Sequence, residues 1–360
     1  MLPRFQLSLV GPLALLTILI GFPTVLSKPH ANQLSVRHHA HVRHAKRVNN
    51  DEANYKHKAK NCKFDPIYSN GKLLKIPCDA ARVNGRLLFG LLPDDGTTGG
   101  PRQSMAGIIK HLHDKEIGIY GFYAQLHDNE VFSGYQFKWI LDDLQKCQSM
   151  FIPAVMPCPK SWYGLTWEDS HQAVAIAKVC RNITDLGIGV SLRFAHEMNW
   201  YQRAREYSGN AKHFKEAWAV VTWAVRKYAP EVLMFWCPNV AHDNNVAEYH
   251  EYAPEDFDKT VDIVGFDYYP KEKPKKGHFL KMAKYFHDTF ASDSRKMIIG
   301  ETGLHYDGPV QDKVDWLDQI ADAKDQLPHL VGVVWYNQRK DRDYKIVGDG
   351  TSNLLEAKLE

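Results

Sequence analysis

Eight short apolar runs, spread between residues 86 and 338, constrain this chain more than any other feature. They read "RLLFGLL", "EIGIYGFYAQ", "MFIPAVMPC", "GIGVSLRFAHE", "VLMFWCPN", "VDIVGFDYYP", "KMIIGETG" and "HLVGVVWYNQ". Longer amphipathic stretches such as "QAVAIAKVCRNITDLG" and "AKHFKEAWAVVTWAVRKYA" separate them. The spacing is that of a strand, a helix and two loops, about 30 residues or more per unit. Near-continuous Val, Ile and Leu mean burial on both faces, the condition of parallel strands covered by helices. Eight such units predict an α/β fold closed into a (β/α)8 TIM barrel. The alternative, an open doubly wound sheet, carries a Gly-rich phosphate turn after its first strand, and "LFGLLPDDGTTGG" lacks that spacing. Only 22 residues follow the last run, so "NLLEAKLE" predicts a short or truncated eighth helix. Residues 61 to 85 are left to brace the bottom of the barrel.

The flanks read differently. Residues 1 to 27 carry Arg4, the apolar "GPLALLTILIGF" and small residues before a cut after Ser27, which is the pattern of a secretory signal peptide. The apolar run is short and interrupted by Pro23, which argues against a signal anchor. Residues 28 to 60 hold eight Lys and Arg against Asp51 and Glu52, six His and almost nothing to bury. Such a segment cannot offset its ordering entropy and reads as disordered. The dibasic Lys46-Arg47 makes residues 28 to 47 a candidate pro-segment. With these flanks set aside, residues 61 to 360 carry a net charge of about −4, so nothing suggests a nucleic-acid partner. No further membrane span follows the signal, and the expected product is a secreted monomer.

Six cysteines, at 62, 78, 147, 158, 180 and 237, fit an oxidising route, and none has the spacing of a zinc site. Six cysteines allow fifteen connectivities, which sequence alone leaves open; Cys62 and Cys78 are expected to pair, and Cys147 and Cys180, as ends of consecutive helices, are a further candidate pair. Asn182-Ile183-Thr184 is a glycosylation sequon. No cofactor is implied, and "LFGLLPD" lacks the His-x-His of a metal-dependent barrel hydrolase.

In such a barrel the chemistry gathers at the C-terminal ends of the strands. Strand three is followed by Trp162; strand four ends with Arg193, His196, Glu197, Asn199 and Trp200; strand five with Trp236 and Asn239. Strand six ends with Asp267 and Tyr269, strand seven with Glu301, strand eight with Trp335. Paired carboxylates walled by aromatics suit cleavage of a glycosidic bond: one protonates the leaving oxygen, the other attacks or activates water. Singly, each of these residues is more often a cap, a salt bridge or core; the constellation carries the reading.

"RFAHEMNWYQ" resembles the acid/base segment of glycoside hydrolase family 26, with its His-Glu pair and following Asn. "VDIVGFDYYP" resembles that family's sixth strand with its Asp-x-Tyr, and "IIGETG" its seventh with the nucleophile. The resemblance spans most of residues 86 to 340 in order. It implies a retaining endo-acting enzyme on β-linked polysaccharide, first β-1,4-mannan. Lichenase and β-1,3-xylanase activities are the alternatives within the fold. It implies Glu197 as acid/base, Glu301 as nucleophile, His196 and Tyr269 holding that nucleophile or the sugar, and Trp335 flooring the subsite. Arg193 is expected to lower the pKa of Glu301 by its charge. One departure stands out: Trp200 follows Asn199 directly, where the family often has a Gly. A non-catalytic carbohydrate-binding barrel would keep the aromatics and lose one carboxylate, and both are present.

Overall fold

The computed structural model describes residues 63–97, 100–348 and 352–360. The signal-like segment, the basic His-rich stretch and Cys62 lie outside the described residues, so those expectations and the Cys62–Cys78 pairing are not addressed by it. The barrel strands are β1 (Leu87–Pro93), β2 (Ile119–Gln125), β3 (Met150–Met156), β4 (Ser191–Phe194) and β5 (Leu233–Trp236). They continue with β6, in two pieces (Ile263–Val264 and Asp267–Tyr268), β7 (Lys296–Thr302) and β8 (Leu330–Asn337). All eight are parallel and neighbour one another in chain order. β8 pairs with β1, from Gly332 opposite Leu88 to Asn337 opposite Pro93, which closes the barrel as expected.

The principal helices are α1 (Met105–His111), α2 (Leu141–Cys147), α3 (His171–Thr184), α4 (Ala211–Tyr228), α5 (Ala247–Tyr252), α6 (His278–Phe290), α7 (Val310–Ala323) and α8 (Ser352–Glu356). α4 shows why such segments fold this way. Asn210 caps it by accepting from the Lys212 amide at 3.1 Å. Phe214, Ala217, Trp218, Val221 and Val225, spaced by three and four, are buried on one face. Among the described residues, no helix is long and apolar enough to cross a membrane.

The apolar side chains form two layers. Phe89, Leu91, Phe194, Trp218, Trp236 and Trp316 fill the space between strands and helices. Leu88, Ile119, Ile152, Phe235, Ile263 and Ile298 fill the barrel interior, joined from below by Leu74, Ile76 and Ala80. The segment before β1 thus plugs the lower end, as its position predicted. The eighth helix is short, as expected, and the chain end returns to that plug: Leu359 bridges Val83, and Glu360 exchanges backbone hydrogen bonds with Arg82.

One expectation changes here. Cys147 and Cys180 are free thiols. Cys147 sits 3.2 Å from the Ser149 hydroxyl, and burial pushes the Cys180 thiol up to about 12. Facing into the helix–strand layer makes each cysteine a small hydrophobe rather than half of a bridge. The Asn182 triplet lies in the last turn of α3, within the amphipathic stretch that predicted this helix: Asn182 is exposed, and the Thr184 hydroxyl donates to the Arg181 carbonyl at 2.9 Å.

Candidate active site

Strand alternation places the inner residues of β4. Leu192 and Phe194 face the helices, so Ser191 and Arg193 face inward. Beyond the strand the backbone leaves that pattern: Ala195 and Glu197 both adopt left-handed conformations, with φ 47° and 50°. Each such L-residue costs roughly 1–2 kcal/mol. The turn brings consecutive residues His196 and Glu197 to the same mouth, which a continuing strand cannot do. The Glu197 amide donates to the Cys237 carbonyl at 2.8 Å and anchors the turn to β5.

β7 solves the same problem with a bulge. Ile299 lies opposite Val333, but Thr302 lies opposite Trp335, so one extra residue sits on β7 between them. Ile299 faces the helices, and so does Thr302, whose hydroxyl accepts from Trp316 Nε1 at 2.8 Å. Gly300 and Glu301 therefore both face inward. Gly300 has no room for a side chain. A Cβ there would overlap Cys237 Sγ and lie 2.6 Å from Asp267 Oδ1. Gly300→Ala is expected to destabilise the fold by about 1–3 kcal/mol. It should also displace Glu301, so denaturant melts and turnover should fall together.

At the centre, Arg193 is 1 % exposed and ties three strands. Its Nη1 donates to the Gly300 carbonyl at 3.1 Å; its Nη2 donates to Asp267 Oδ2 at 3.0 Å and to Glu301 Oε1. The Tyr269 hydroxyl donates to Glu301 Oε2 at 2.7 Å, and Tyr123 adds its hydroxyl to the same carboxylate. His196 Nε2 stands 4.0 Å from Glu301 Oε1. Burial, with Arg193 adding to it, drops the His196 pKa to about 3, so the imidazole is neutral. The Cys237 thiol donates to Asp267 Oδ1 at 3.1 Å. Glu197 instead receives one hydrogen bond, from Asn239 Nδ2 at 3.0 Å.

These surroundings drive the two glutamates apart. Burial, then the charge of Glu301, raises Glu197 to about 7. Burial alone would raise Glu301 too, but the charge of Arg193 and the hydroxyl donors overcome it and hold its pKa below the ordinary value. Burial pushes Asp267 well up, against the pull of Arg193. Single carboxylate oxygens of Glu197, Asp267 and Glu301 all lie within 4.8 Å of one another. Among the described residues this is the grouping with metal-ligand chemistry, and Arg193 already stands between two of its members as counter-cation. Glu197 and Glu301 are close enough to attack and protonate one glycosidic bond directly. Their facing oxygens, within 4.8 Å of each other, fit the closer, about 5–5.5 Å, of the two carboxyl spacings used for glycosidic cleavage.

The structure brings together Arg193, His196, Glu197, Asp267, Tyr269 and Glu301. It corrects the part expected of four others. Trp335 faces the helix layer, fully buried, with Nε1 donating to the Tyr344 carbonyl at 2.8 Å. Trp236 also faces outward, stacked on Phe286 at 5.6 Å. Both sit in the outward phase of their strands, which no end-of-strand position overrides. Trp162 is buried, bonded to the Ser208 carbonyl and packed on Tyr207, which in turn stacks on Tyr201. Asn199 is 1 % exposed and clamps the Asn239 backbone from both sides, so it positions Asn239 rather than meeting a ligand. Trp200 is 46 % exposed beside the mouth, with Arg203 over its ring at 5.5 Å. The aromatic wall joins Tyr269 to tyrosines with no role assigned from the sequence, Tyr123, Tyr336 and Tyr344. Tyr336, one step after Trp335, touches Tyr123, Tyr269 and Tyr344. Counting the alternation of "VVWYN" would have found Tyr336; Tyr344, in the loop after β8, has no such signal.

No family model matches the sequence, and no curated protein resembles it closely enough to align. Solved structures do resemble its fold. A modular endo-β-1,4-mannanase of glycoside hydrolase family 26 from Cellulomonas fimi aligns at 15 % identity with a TM-score of 0.54, over 76 % of this chain and 70 % of its own. A GH5-4 broad-specificity endoglucanase from Clostridium acetobutylicum aligns at 11 % identity and TM-score 0.56, over 75 % and 93 %. A xyloglucan-specific endo-β-1,4-glucanase from a metagenomic library aligns at 13 % and 0.51, over 81 % and 95 %. The fold is the barrel of these glycoside hydrolases. Identities this low speak for that architecture, while the chemistry rests on the side chains described above.

Proposed function

We propose that this protein is a secreted, retaining endo-glycoside hydrolase acting on β-linked polysaccharide, with β-1,4-mannan the first candidate. The observation that carries the reading is the pair Glu197 and Glu301, within 4.8 Å and held in opposite protonation states by their surroundings. In it, Glu301 attacks the anomeric carbon while Glu197 gives its proton to the departing oxygen. The ester removes the negative charge that helped raise Glu197, so its pKa falls and it takes a proton from the incoming water. Tyr269 and Arg193 keep Glu301 ionised before attack; neutral His196 remains able to donate or accept at the sugar. Mannan leads because of the three family 26 motifs. Lichenan and β-1,3-xylan are the alternatives on the same fold.

The test is hydrolysis of mannan, lichenan, β-1,3-xylan and β-1,4-xylan, with the anomer of the first product followed by NMR. Retention on at least one polymer supports the reading. Inverted product, or no hydrolysis of any β-linked polymer, rejects it. The pH dependence is also fixed. Glu197 must be protonated to act first, so kcat/KM should fall as pH rises through about 7. Glu301 must be ionised, so the acid limb should lie below the ordinary glutamate value of 4.5. A plateau extending to pH 9 would remove Glu197 from the acid role.

A further inference from the structure

α4 carries two tryptophans with opposite fates. Trp218 shares the apolar phase of the helix with Phe214, Val221 and Val225 and is fully buried. Trp223 lies outside that phase, where such a helix normally carries polar side chains, and is 38 % exposed. A second exposed tryptophan meets it there. Trp167, from the loop between β3 and α3, is 56 % exposed, and its ring centroid stands 6.2 Å from that of Trp223, at 65°. Tyr228, half-buried at the end of α4, brings its ring within 6.3 Å of Trp223. Single exposed aromatics are ordinary, but rings gathered in contact on a surface mark a place that binds something.

The strip is fixed in place. Trp167 sits in a closed turn: the Thr166 amide donates to the Asp169 carbonyl at 3.0 Å, and the Asp169 amide donates to Thr166 Oγ1 at 3.2 Å. The Trp167 amide also donates to Glu216 of α4, at 3.5 Å, which ties the turn to the helix. Rings held this way lose little freedom when a ligand arrives. Lys227 lies 5.2 Å from the Trp223 and Tyr228 rings, and Lys178 of α3 lies 5.8 Å from Tyr228. The result is a flat aromatic surface edged by ammonium and carboxylate groups. A sugar ring presents the matching pair of surfaces, apolar C–H faces and a rim of hydroxyls. Size points the same way. Even wholly buried, three rings at about 150–250 Å² each fall short of the roughly 800 Å² per partner of a stable protein interface. The loop that carries Trp167 follows β3, so the strip begins at the end of the barrel where the carboxylates stand.

We propose that Trp167, Trp223 and Tyr228 form a second carbohydrate-binding surface outside the cleft, on which a β-linked polysaccharide rests while another part of the same chain occupies the cleft. Two footholds on one polymer raise the effective concentration of substrate at the carboxylates without any new catalytic contact. The proposal rests on the glycoside hydrolase reading for the identity of the polymer, not for the surface itself. Migration of the full chain should be measured in native gels cast with mannan, lichenan, β-1,3-xylan or β-1,4-xylan. At least one polymer should retard it, and the double variant Trp167→Ala, Trp223→Ala should bind that polymer at least about tenfold more weakly. Trp167→Tyr, which keeps a ring, should keep most of the binding. Trp167→Ala alone, in an exposed turn, keeps the test decisive if the double variant fails to fold. On a soluble tetrasaccharide of the same linkage, which fills only the cleft, the variants should keep the wild-type kcat/KM. Retardation by no polymer, or equal retardation of wild type and variants, would overturn the proposal whatever the activity. An equal loss on the tetrasaccharide would place the rings in the cleft and overturn the separate surface. Variants that lose binding to phosphatidylserine vesicles but keep polymer binding would assign the strip to lipid and overturn it as well. A chain that cleaves no polymer yet binds one through Trp167 and Trp223 would reject the proposed activity and leave the surface standing.

Discussion

Glu301→Ala is expected to lose turnover on every β-linked substrate by on the order of 10⁴-fold, about 5.4 kcal/mol of transition-state stabilisation. No covalent intermediate can form without that carboxylate. The partner variant should behave differently. Glu197→Ala should be equally crippled on a polysaccharide, whose leaving oxygen needs a proton. On an aryl glycoside with a good leaving group it should keep most of its first step, because that group departs unaided. Its slow step becomes hydrolysis of the intermediate, now without a base, and added azide should replace the water and give a glycosyl azide of retained configuration. The Glu301 variant should give the inverted azide, since the anion enters from the vacated side. Inverted azide from the Glu197 variant, or no azide effect on an activated substrate, would exchange or remove the two roles.

Arg193→Met is expected to damage both stability and chemistry. The guanidinium is the shared partner of Asp267 and Glu301, all three almost fully buried. Removing one member of such a group leaves uncompensated buried charge, at about 3–5 kcal/mol. The pH dependence of that loss has a definite sign. Glu301 has a folded-state pKa depressed below 4.5, so its stabilising contribution is present above that value and fades as pH falls through the folded pKa. Urea melts of wild type and variant should therefore differ most near neutral pH and converge in acid. The acid limb of kcat/KM in the surviving folded variant should also move upward, because Glu301 loses the charge that held it ionised. A variant with wild-type stability at pH 7 would mean that the buried carboxylates are already neutral there.

The sequence by itself determined the architecture and most of the inner ring of the site. Eight apolar runs at the spacing of βα units admit few packings, and burial on both faces selects the covered parallel barrel. Parity along the strands also makes Arg193, Asp267 and Tyr269 legible as inward residues, because alternation is a local property of extended backbone. Glu197 and Glu301 were legible only through their motifs. The left-handed turn at Ala195 and Glu197 and the bulge at Gly300–Glu301 both break the parity that would otherwise aim a glutamate at the helices. Tertiary structure alone decided the aromatic wall. A tryptophan at a strand end looks like a sugar platform in one dimension, yet Trp335 and Trp236 fall in the outward phase and fill the helix layer instead. Tyr344 reaches the site from a loop, where its hydroxyl is held by His305 at 2.6 Å and Asp341 at 3.1 Å. Loops carry no periodicity that fixes where a side chain points, so residues supplied by them emerge only when the barrel has closed and brought the β7 and β8 ends together.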